Sequence, residues 1–275
     1  MVMMITINLH LLQTIHSKDK GGDFSSTKGK KLSKNTFFET VHSIEMIKTI
    51  LKDKSYGVEY QPFISTKNEE IFAYEALSRF EYVTKAISPE VFFEICHDFN
   101  ELFFDAEQIL KKYQFQNRPK DKKLFVNFDP HILLEKNRVN EVFNFFSKQE
   151  NFVIELVENS HESVNTTKLL SIFKNLNFDF AVDDFFKENS MLSLELLKKC
   201  DYLKLDKDVL KEINSNKSFM YVVEGLVKCS HELGKKVVLE GVETKKDFKL
   251  AKTLNIDFAQ GYLFRSKFIK KMCHG

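Results

Sequence analysis

Short apolar segments recur along the chain between longer amphipathic stretches, and this alternation constrains the fold more than any other feature of the sequence. Eight of the apolar segments are predicted to be strands, and they are 57–65, 71–80, 123–128, 152–157, 178–184, 202–205, 237–240 and 258–264. Helices are predicted between most of them, because the intervening stretches carry apolar residues at helical spacing. Strands that alternate with helices form mainly parallel sheets with both faces covered. We therefore expect an α/β fold.

The link between the first two predicted strands sets the topology. Residues 66–70 are too few for a helical crossover, so this pair should form an antiparallel hairpin. A TIM-like (β/α)8 barrel with one antiparallel strand closes such a sheet, and a barrel of ~250 residues fits within the 275 residues of the chain. Residues 17–34 have the composition of a solvated linker. We predict a flexible N-terminal segment over 1–35 and one barrel domain over 36–275 that begins with a helix over 36–51.

Composition and charge argue against several classes of protein. The 41 Lys and Arg residues nearly balance the 39 Asp and Glu residues, and the net charge of +2 predicts neither a nucleic-acid polymer nor a membrane surface as partner. No apolar run approaches the ~20 residues of a membrane helix, and residues 1–15 lack the features of a signal peptide, so we expect no membrane insertion. The four cysteines form no CxxC pair, which argues against a zinc site or a disulfide framework and suits a reducing cytoplasm.

Polar residues stand at the ends of most predicted strands, where a continuous apolar core would not place them. They are Glu75, Asn127, Glu155, Asp183, Asp184, Lys204, Asp206, Glu240 and Gln260. The C-terminal ends of barrel strands meet on one face, so we expect these residues to form one cluster. Any single acid is more often a helix cap or an ion-pair partner, and Lys204 alone is equally consistent with a structural ion pair. The recurrence along the whole barrel is what indicates function.

Clustered carboxylates need cationic partners, because an uncompensated buried carboxylate is strongly destabilising. Oxygen ligands without a Cys or His set favour Mg²⁺ or Mn²⁺ over zinc. Two ions ~3.5–4 Å apart, sharing the adjacent Asp183 and Asp184, would activate a water and stabilise the leaving oxygen of a phosphodiester. Lys204 and Asp206 share one face of a strand, where the ammonium can orient that water.

The motifs around these residues resemble those of the EAL family of cyclic di-GMP phosphodiesterases. They are Gln61-Pro62-Phe63, Glu75-Ala76-Leu77-Ser78-Arg79, Val126-Asn127, Glu155-Leu156-Val157-Glu158, Asp183-Asp184-Phe185, Lys204-Leu205-Asp206, Glu240-Gly241-Val242-Glu243-Thr244 and Gln260-Gly261-Tyr262-Leu263-Phe264. A lone Glu-Ala-Leu tripeptide is weak evidence, whereas the ordered series at barrel-strand spacing is specific. No GGDEF-like cyclase motif accompanies it, so synthesis of the nucleotide is not predicted.

The resemblance implies roles for the matching residues. One ion would be held by Glu75, Asn127, Glu155 and Asp183, and a second by Asp183, Asp184 and Glu240. The catalytic residues would be Asp184, Lys204 beside the nucleophilic water, and Glu240 as the usual general base. The substrate residues would be Gln61, Leu77, Arg79 and Gln260, with the Arg79 fork suited to phosphate and Gln260 supporting the metal-side network. EAL domains commonly dimerise, so a homodimer is expected.

One segment departs from the family pattern. The family usually continues its Asp-Asp-Phe into Gly-Thr-Gly-Tyr-Ser-Ser, whereas this chain continues Phe186-Lys187-Glu188-Asn189-Ser190-Met191. Glycine permits backbone conformations that Phe and Glu largely forbid, so we expect the loop to take a different path and to limit activity. Glu158, which in the family anchors that loop, is retained.

Three functions remain open at this point. The leading one is metal-dependent hydrolysis of cyclic di-GMP to linear pGpG, which the complete set of ligands supports. The altered loop supports a catalytically weak cyclic di-GMP receptor instead. A protein-interaction module on a degenerate barrel predicts missing ligands, and in this sequence they are present.

Overall fold

The computed structural model describes residues 34–130, 132, 138–156, 177–187 and 194–273. The predicted flexible segment over 1–35 lies almost entirely outside this part of the chain. The first described element is a helix, α1 (Lys34–Lys52), which confirms the predicted lead-in helix. No helix in the described ranges has the length and apolar character needed to cross a membrane.

Strands and helices alternate along the described chain. The strands are β1 (Tyr56–Ser65), β2 (Ile71–Tyr82), β3 (Lys85–Ile87), β4 (Lys123–Phe128), β5 (Phe152–Leu156), β6 (Asp179–Phe185), β7 (Tyr202–Leu205), β8 (Lys236–Leu239), β9 (Phe258–Ala259) and β10 (Ile269–Met272). The further helices are α2 (Pro89–His97), α3 (Asn100–Gln116), α4 (Val139–Phe146), α5 (Leu194–Lys199), α6 (Asp208–Ser215), α7 (Phe219–Glu232), α8 (Lys245–Thr253) and a 3₁₀ helix (Tyr262–Lys267).

Two helices begin at side-chain caps. The Ser88 side chain accepts a hydrogen bond from the Val91 amide, with Pro89 at the first helical position of α2. Thr244 and Asp247 form a reciprocal capping box at the start of α8. Both caps satisfy amide groups that the first turn of a helix leaves without partners, and so they fix where the chain leaves the preceding strand.

Eight of the strands close into a barrel. The sheet order is β10-β1-β9-β8-β7-β6-β5-β4-β2-β3, and an additional pairing of β1 with β2 completes the ring. β1 is antiparallel to both of its barrel neighbours, β2 and β9. The pairings from β2 and β4 round to β8 and β9 are all parallel. The predicted TIM-like barrel with one antiparallel strand is confirmed.

The structure departs from the predicted strands at the two ends of the sheet. β3 and β10 are short additional strands that pair with β2 and β1 and that the sequence did not predict. The last predicted strand, 258–264, ends after Ala259. Gly261 then adopts a φ of 155° and packs so closely on the Val242 backbone that a Cβ atom would clash there. This close approach turns the chain out of the sheet and into the 3₁₀ helix.

An apolar layer fills the barrel below the C-terminal ends of its strands. This interior layer consists of one buried residue from each barrel strand, namely Phe63, Ala73, Phe125, Val153, Ala181, Tyr202, Val238 and Phe258. The Phe125 ring lies 4.5 Å from Phe63 and 4.9 Å from Tyr202 between centroids, so aromatic side chains occupy the centre. A larger apolar core lies between the strands and the surrounding helices.

Candidate active site at the C-terminal ends of the strands

A polar layer stands directly on the interior layer. Its members are Gln61, Glu75, Asn127, Glu155, Asp183, Lys204, Glu240 and Gln260, one from each barrel strand or the residue just beyond it. Each lies two residues from the interior-layer residue of its strand, because side chains along a strand return to the same face every second residue. Gln61 precedes its interior residue, Phe63, since β1 runs in the opposite direction. Seven of the nine residues predicted to form one cluster therefore lie in this layer, together with Gln61.

Lys204 lies at the centre of the polar layer and is 1% exposed. Its Nζ atom is 2.7 Å from Glu240 Oε1, 2.9 Å from Glu155 Oε1 and 3.0 Å from Asp183 Oδ1. A fourth carboxylate, that of Glu75, is 3.5 Å away. One buried ammonium thus lies among four carboxylates. Its single positive charge cannot neutralise all of them.

Glu75 links the two sides of the layer. Its Oε1 accepts a hydrogen bond from Asn127 Nδ2 at 3.2 Å, and its Oε2 accepts one from Gln260 Nε2 at 2.6 Å. The side-chain amides of Asn127 and Gln260 both donate N–H groups to Glu75. The side-chain oxygen of Asn127 therefore remains available to bind a cation. The Gln260 oxygen is buried and has no hydrogen-bond partner among the described residues.

Burial and charge shift the pKa values of this layer strongly. Burial, with a smaller effect from Asp183 and Glu75, raises the pKa of Glu240 to about 8 against the lowering effect of Lys204. Burial also raises the pKa of Glu155 well above its usual range. Burial alone would lower the pKa of Lys204, but the carboxylates around it hold that pKa well above the ordinary value. Lys204 is therefore charged at neutral pH. Its one positive charge is too small to balance the negative charge of all the surrounding acids.

The donor set fits divalent cations. Glu155 is fully buried, and neither of its oxygens has a hydrogen-bond partner in the described ranges, although Lys204 is 2.9 Å from one of them. Asp183, Asp184 and Glu240 each offer a carboxylate oxygen, and these oxygens lie within 4.8 Å of one another. Partnerless buried oxygens beside clustered carboxylates are costly without a cation, and oxygen-only ligands suit Mg²⁺ and Mn²⁺.

The residues predicted to bind substrate divide between the cavity and its rim. A cavity of 440 Å³, here called the acidic cavity, is lined by Gln61, Leu77 and Gln260 together with Glu75, Asp183 and Glu240. Arg79 lies at the rim, where its Nη2 donates to Glu59 Oε1 at 2.6 Å. Gln61 Nε2 donates to the same oxygen at 3.1 Å. Glu59 therefore orients two of the predicted substrate residues, Gln61 and Arg79. The sequence did not identify this role of Glu59.

A second cavity adjoins the acidic cavity. This helix-side cavity has a volume of 480 Å³, lies between β2, β4 and the helices α2 and α3, and shares Leu77 and Glu90 with the acidic cavity. Glu107 and Lys111 line it as a buried ion pair 3.0 Å apart. Gln114 donates to Ala76 O and Ser78 Oγ, while its own oxygen has no hydrogen-bond partner in the described part of the chain. The cavity thus offers a charged pair and a free acceptor.

Two predicted positions differ from the expectation or lie beyond the described residues. Asp206 accepts the Asp208 amide at 2.8 Å and so caps the start of α6, and it does not line the acidic cavity. Glu158, the predicted loop anchor, lies outside the described residues, as do the last four residues of the altered loop, 188–191. Phe186 takes a φ of 73°, the left-handed conformation that glycine adopts freely, and its ring contacts Phe185 and Phe219.

Comparisons with known proteins point to one family. Residues 44–267 match the model of the EAL domain. The probable cyclic di-GMP phosphodiesterase PdeG of Escherichia coli K12 is 24% identical over 218 residues, covering 74% of this chain and 43% of PdeG. The probable cyclic di-GMP phosphodiesterase PdeA of the same organism is 28% identical over 236 residues, covering 80% of this chain and 31% of PdeA. The chain spans less than half the length of these curated relatives.

Solved structures agree with the fold. An EAL domain protein from Listeria monocytogenes EGD-e has 25% sequence identity and a TM-score of 0.64, with 80% of this chain and 92% of that chain covered. The YkuI protein of Bacillus subtilis, solved with c-di-GMP and calcium, has 21% identity and a TM-score of 0.68, with 85% of this chain and 59% of that chain covered.

Proposed function

Because this chain belongs to the EAL domain family, we propose that it hydrolyses cyclic di-GMP to linear pGpG with the help of two divalent cations. The observation that carries the proposal is the polar layer, in which four carboxylates surround Lys204 and the buried Glu155 oxygens lack hydrogen-bond partners among the described residues. Relatives named as cyclic di-GMP phosphodiesterases support the choice of substrate.

The proposed cation ligands are those that the family resemblance implies, and the grouping of Asp183, Asp184 and Glu240 oxygens within 4.8 Å supports the second set. Glu75, Asn127, Glu155 and Asp183 would hold one ion, and Asp183, Asp184 and Glu240 the other. Five of these residues are carboxylates, and their ion pairs within the described chain are with Lys204 and Lys187. When bound, Mg²⁺ or Mn²⁺ would lower the pKa of a water and neutralise charge on the phosphodiester.

The chain's own residues would position the water and move its proton. Lys204 is held rigidly by its carboxylate neighbours, so its ammonium has a fixed direction in which to donate to a water or to a phosphate oxygen. Glu240 is 2.7 Å from that ammonium, and once the cations hold it ionised its carboxylate would accept a proton from the attacking water. Gly241, with a φ of 64°, follows it, and a Cβ there would clash with Lys207, so the glycine lets the backbone pass.

The two connected cavities suit a dinucleotide. The acidic cavity would hold the scissile phosphate, with Arg79 at its rim offering two parallel N–H donors once it turns from Glu59. The helix-side cavity would hold one guanine, because Glu107 can accept from the ring N–H and exocyclic amine while Lys111 donates to the carbonyl oxygen. The homodimer, the cytoplasmic location and the domain boundary at residue 36 remain predictions.

The direct experiment incubates the purified full chain with cyclic di-GMP and Mn²⁺ or Mg²⁺ and separates the products by chromatography. We expect pGpG from the wild type and a loss of at least ~100-fold in rate for Asp183→Asn, which removes a shared charge without changing volume. Asp179→Asn is the matched control, since Asp179 lies at the opposite end of the same strand and pairs with Lys123. Full activity of Asp183→Asn would contradict the assignment, and binding without hydrolysis by the wild type would make the chain a receptor.

A further inference from the structure

Lys187 forms an ion pair with Asp184, one of the candidate cation ligands. Its Nζ atom is 2.6 Å from Asp184 Oδ2, and Asp184 is one of the three acids whose oxygens lie within 4.8 Å of one another. Lys187 is not part of the polar layer, because it belongs to the segment after β6 and its side chain is 55% exposed. An exposed lysine therefore forms an ion pair with a carboxylate that the proposed second ion needs.

The backbone holds this pair together. The Lys187 amide donates to the Asp184 carbonyl at 3.0 Å, which closes a tight turn, and both Asp184 and Phe186 in that turn have positive φ angles. The Phe186 ring packs against Phe185 and Phe219, with centroids 5.3 and 5.7 Å away. The turn thus returns the Lys187 side chain to Asp184, where an extended backbone would direct it away.

We propose that Lys187 competes with a divalent cation for Asp184. This competition raises the cation concentration needed to fill the second ion position, that of Asp183, Asp184 and Glu240, here called the outer position. The inference rests on the proposed function. An ammonium and a divalent cation on one carboxylate repel each other, so the ion enters only when Lys187 swings into solvent. Lys204 differs, because it is buried among four carboxylates and stays in place. The occupancy of the outer position then varies with the free cation concentration. The other ion position, which contains Glu155 and is here called the inner position, fills first.

The expected size of the effect follows from exposure. Asp184 is 32% and Lys187 55% exposed, so solvent screens the pair, and its loss should tighten the weaker ion by roughly 3- to 10-fold. The probe is Mn²⁺ alone, titrated into the full chain without nucleotide, with bound ion counted by electron paramagnetic resonance and by calorimetry. Lys187→Met removes the charge, Lys187→Gln repeats the removal with a polar side chain, and Lys187→Arg retains the charge.

Lys48→Met is the matched control, because Lys48 forms an exposed pair with Glu45 at the same three-residue spacing and lies on α1, remote from the acids in sequence. Support requires tighter binding of one Mn²⁺ by Lys187→Met and Lys187→Gln, with Lys187→Arg and Lys48→Met close to the wild type. Wild-type affinity or weaker binding in both charge-removing variants overturns the competition and leaves the proposed function intact. Absence of Mn²⁺ binding in the wild type, matched by Asp183→Asn, overturns the metal-dependent function and this inference together.

Discussion

Replacing Lys204 with Met tests whether one buried ammonium holds the polar layer together. Lys204 is the cation nearest to Glu155, Asp183 and Glu240, at 2.7–3.0 Å, and Met has a similar shape without the charge. Removing one partner of a buried ion pair costs about 3–5 kcal/mol, because the remaining charges stay buried. For a domain of this size that loss corresponds to roughly 6–20 °C in Tm.

The loss should depend on pH and on metal. Glu155 and Glu240 already have raised pKa values, and without Lys204 those values rise further, so the folded variant binds protons that the unfolded chain releases. A raised carboxyl pKa stabilises the fold below the folded value and loses that effect as pH rises through it. The deficit of Lys204→Met against the wild type should therefore grow as pH rises through about 8, the wild-type pKa of Glu240, where the wild type releases a proton that the variant keeps. Mn²⁺ should recover part of it, since cations replace the missing charge.

Urea unfolding followed by circular dichroism, in chelator and in Mn²⁺, measures both effects. Lys252→Met is the control, because Lys252 pairs with Glu69 at 2.6 Å on the surface and such pairs contribute below about 1 kcal/mol. The reasoning is refuted if Lys204→Met in chelator unfolds within about 1 kcal/mol of the wild type at about pH 9, above the wild-type pKa of Glu240.

Two further predictions concern substrate and loop. Arg79→Lys should weaken cyclic di-GMP binding by roughly 10-fold in calorimetry, because a point charge cannot make a two-pronged contact, and unchanged affinity would leave Arg79 a partner of Glu59 only. Phe186→Gly combined with Glu188→Gly should raise kcat more than it changes KM, since Phe186 occupies a left-handed conformation that costs about 1 kcal/mol or more for a side chain. A double variant that binds Mn²⁺ normally and turns over no faster would show that the loop is suited to its own sequence.

Apolar periodicity made most of the fold predictable. Seven of the eight barrel strands lie within two residues of their predicted bounds, because a strand buried on both faces must be apolar. β3 and β10 were missed since Lys85–Ile87 and Ile269–Met272 are partly exposed edge strands, held by backbone pairing that leaves little trace in residue type. The eighth strand ended early because of the close backbone approach at Gly261, which depends on a neighbour distant in sequence.

The site was predictable where it follows the strand period. Glu75 and Glu155 each stand two residues after an interior-layer residue, and that offset can be read from the chain. The Glu59–Arg79 pair needs the register of β1 against β2, in which Glu59 faces Leu77 and Arg79 lies one diagonal step away. Lys187 contacts Asp184 only because the intervening turn contains two residues in the left-handed conformation. The residue types in this turn do not predict that conformation.

The interior layer also determines how molecules enter and leave. Phe125, Tyr202 and Phe258 are buried beneath the carboxylates, so molecules reach the acids from the side of the acidic cavity, which the exposed Tyr262 lines. A dinucleotide lying across that cavity covers both proposed ion positions. Under the proposed function, we expect ions to exchange only between turnovers, with cations arriving before the nucleotide and departing after the product. A chelator added to the nucleotide complex should for this reason act no faster than the nucleotide itself dissociates.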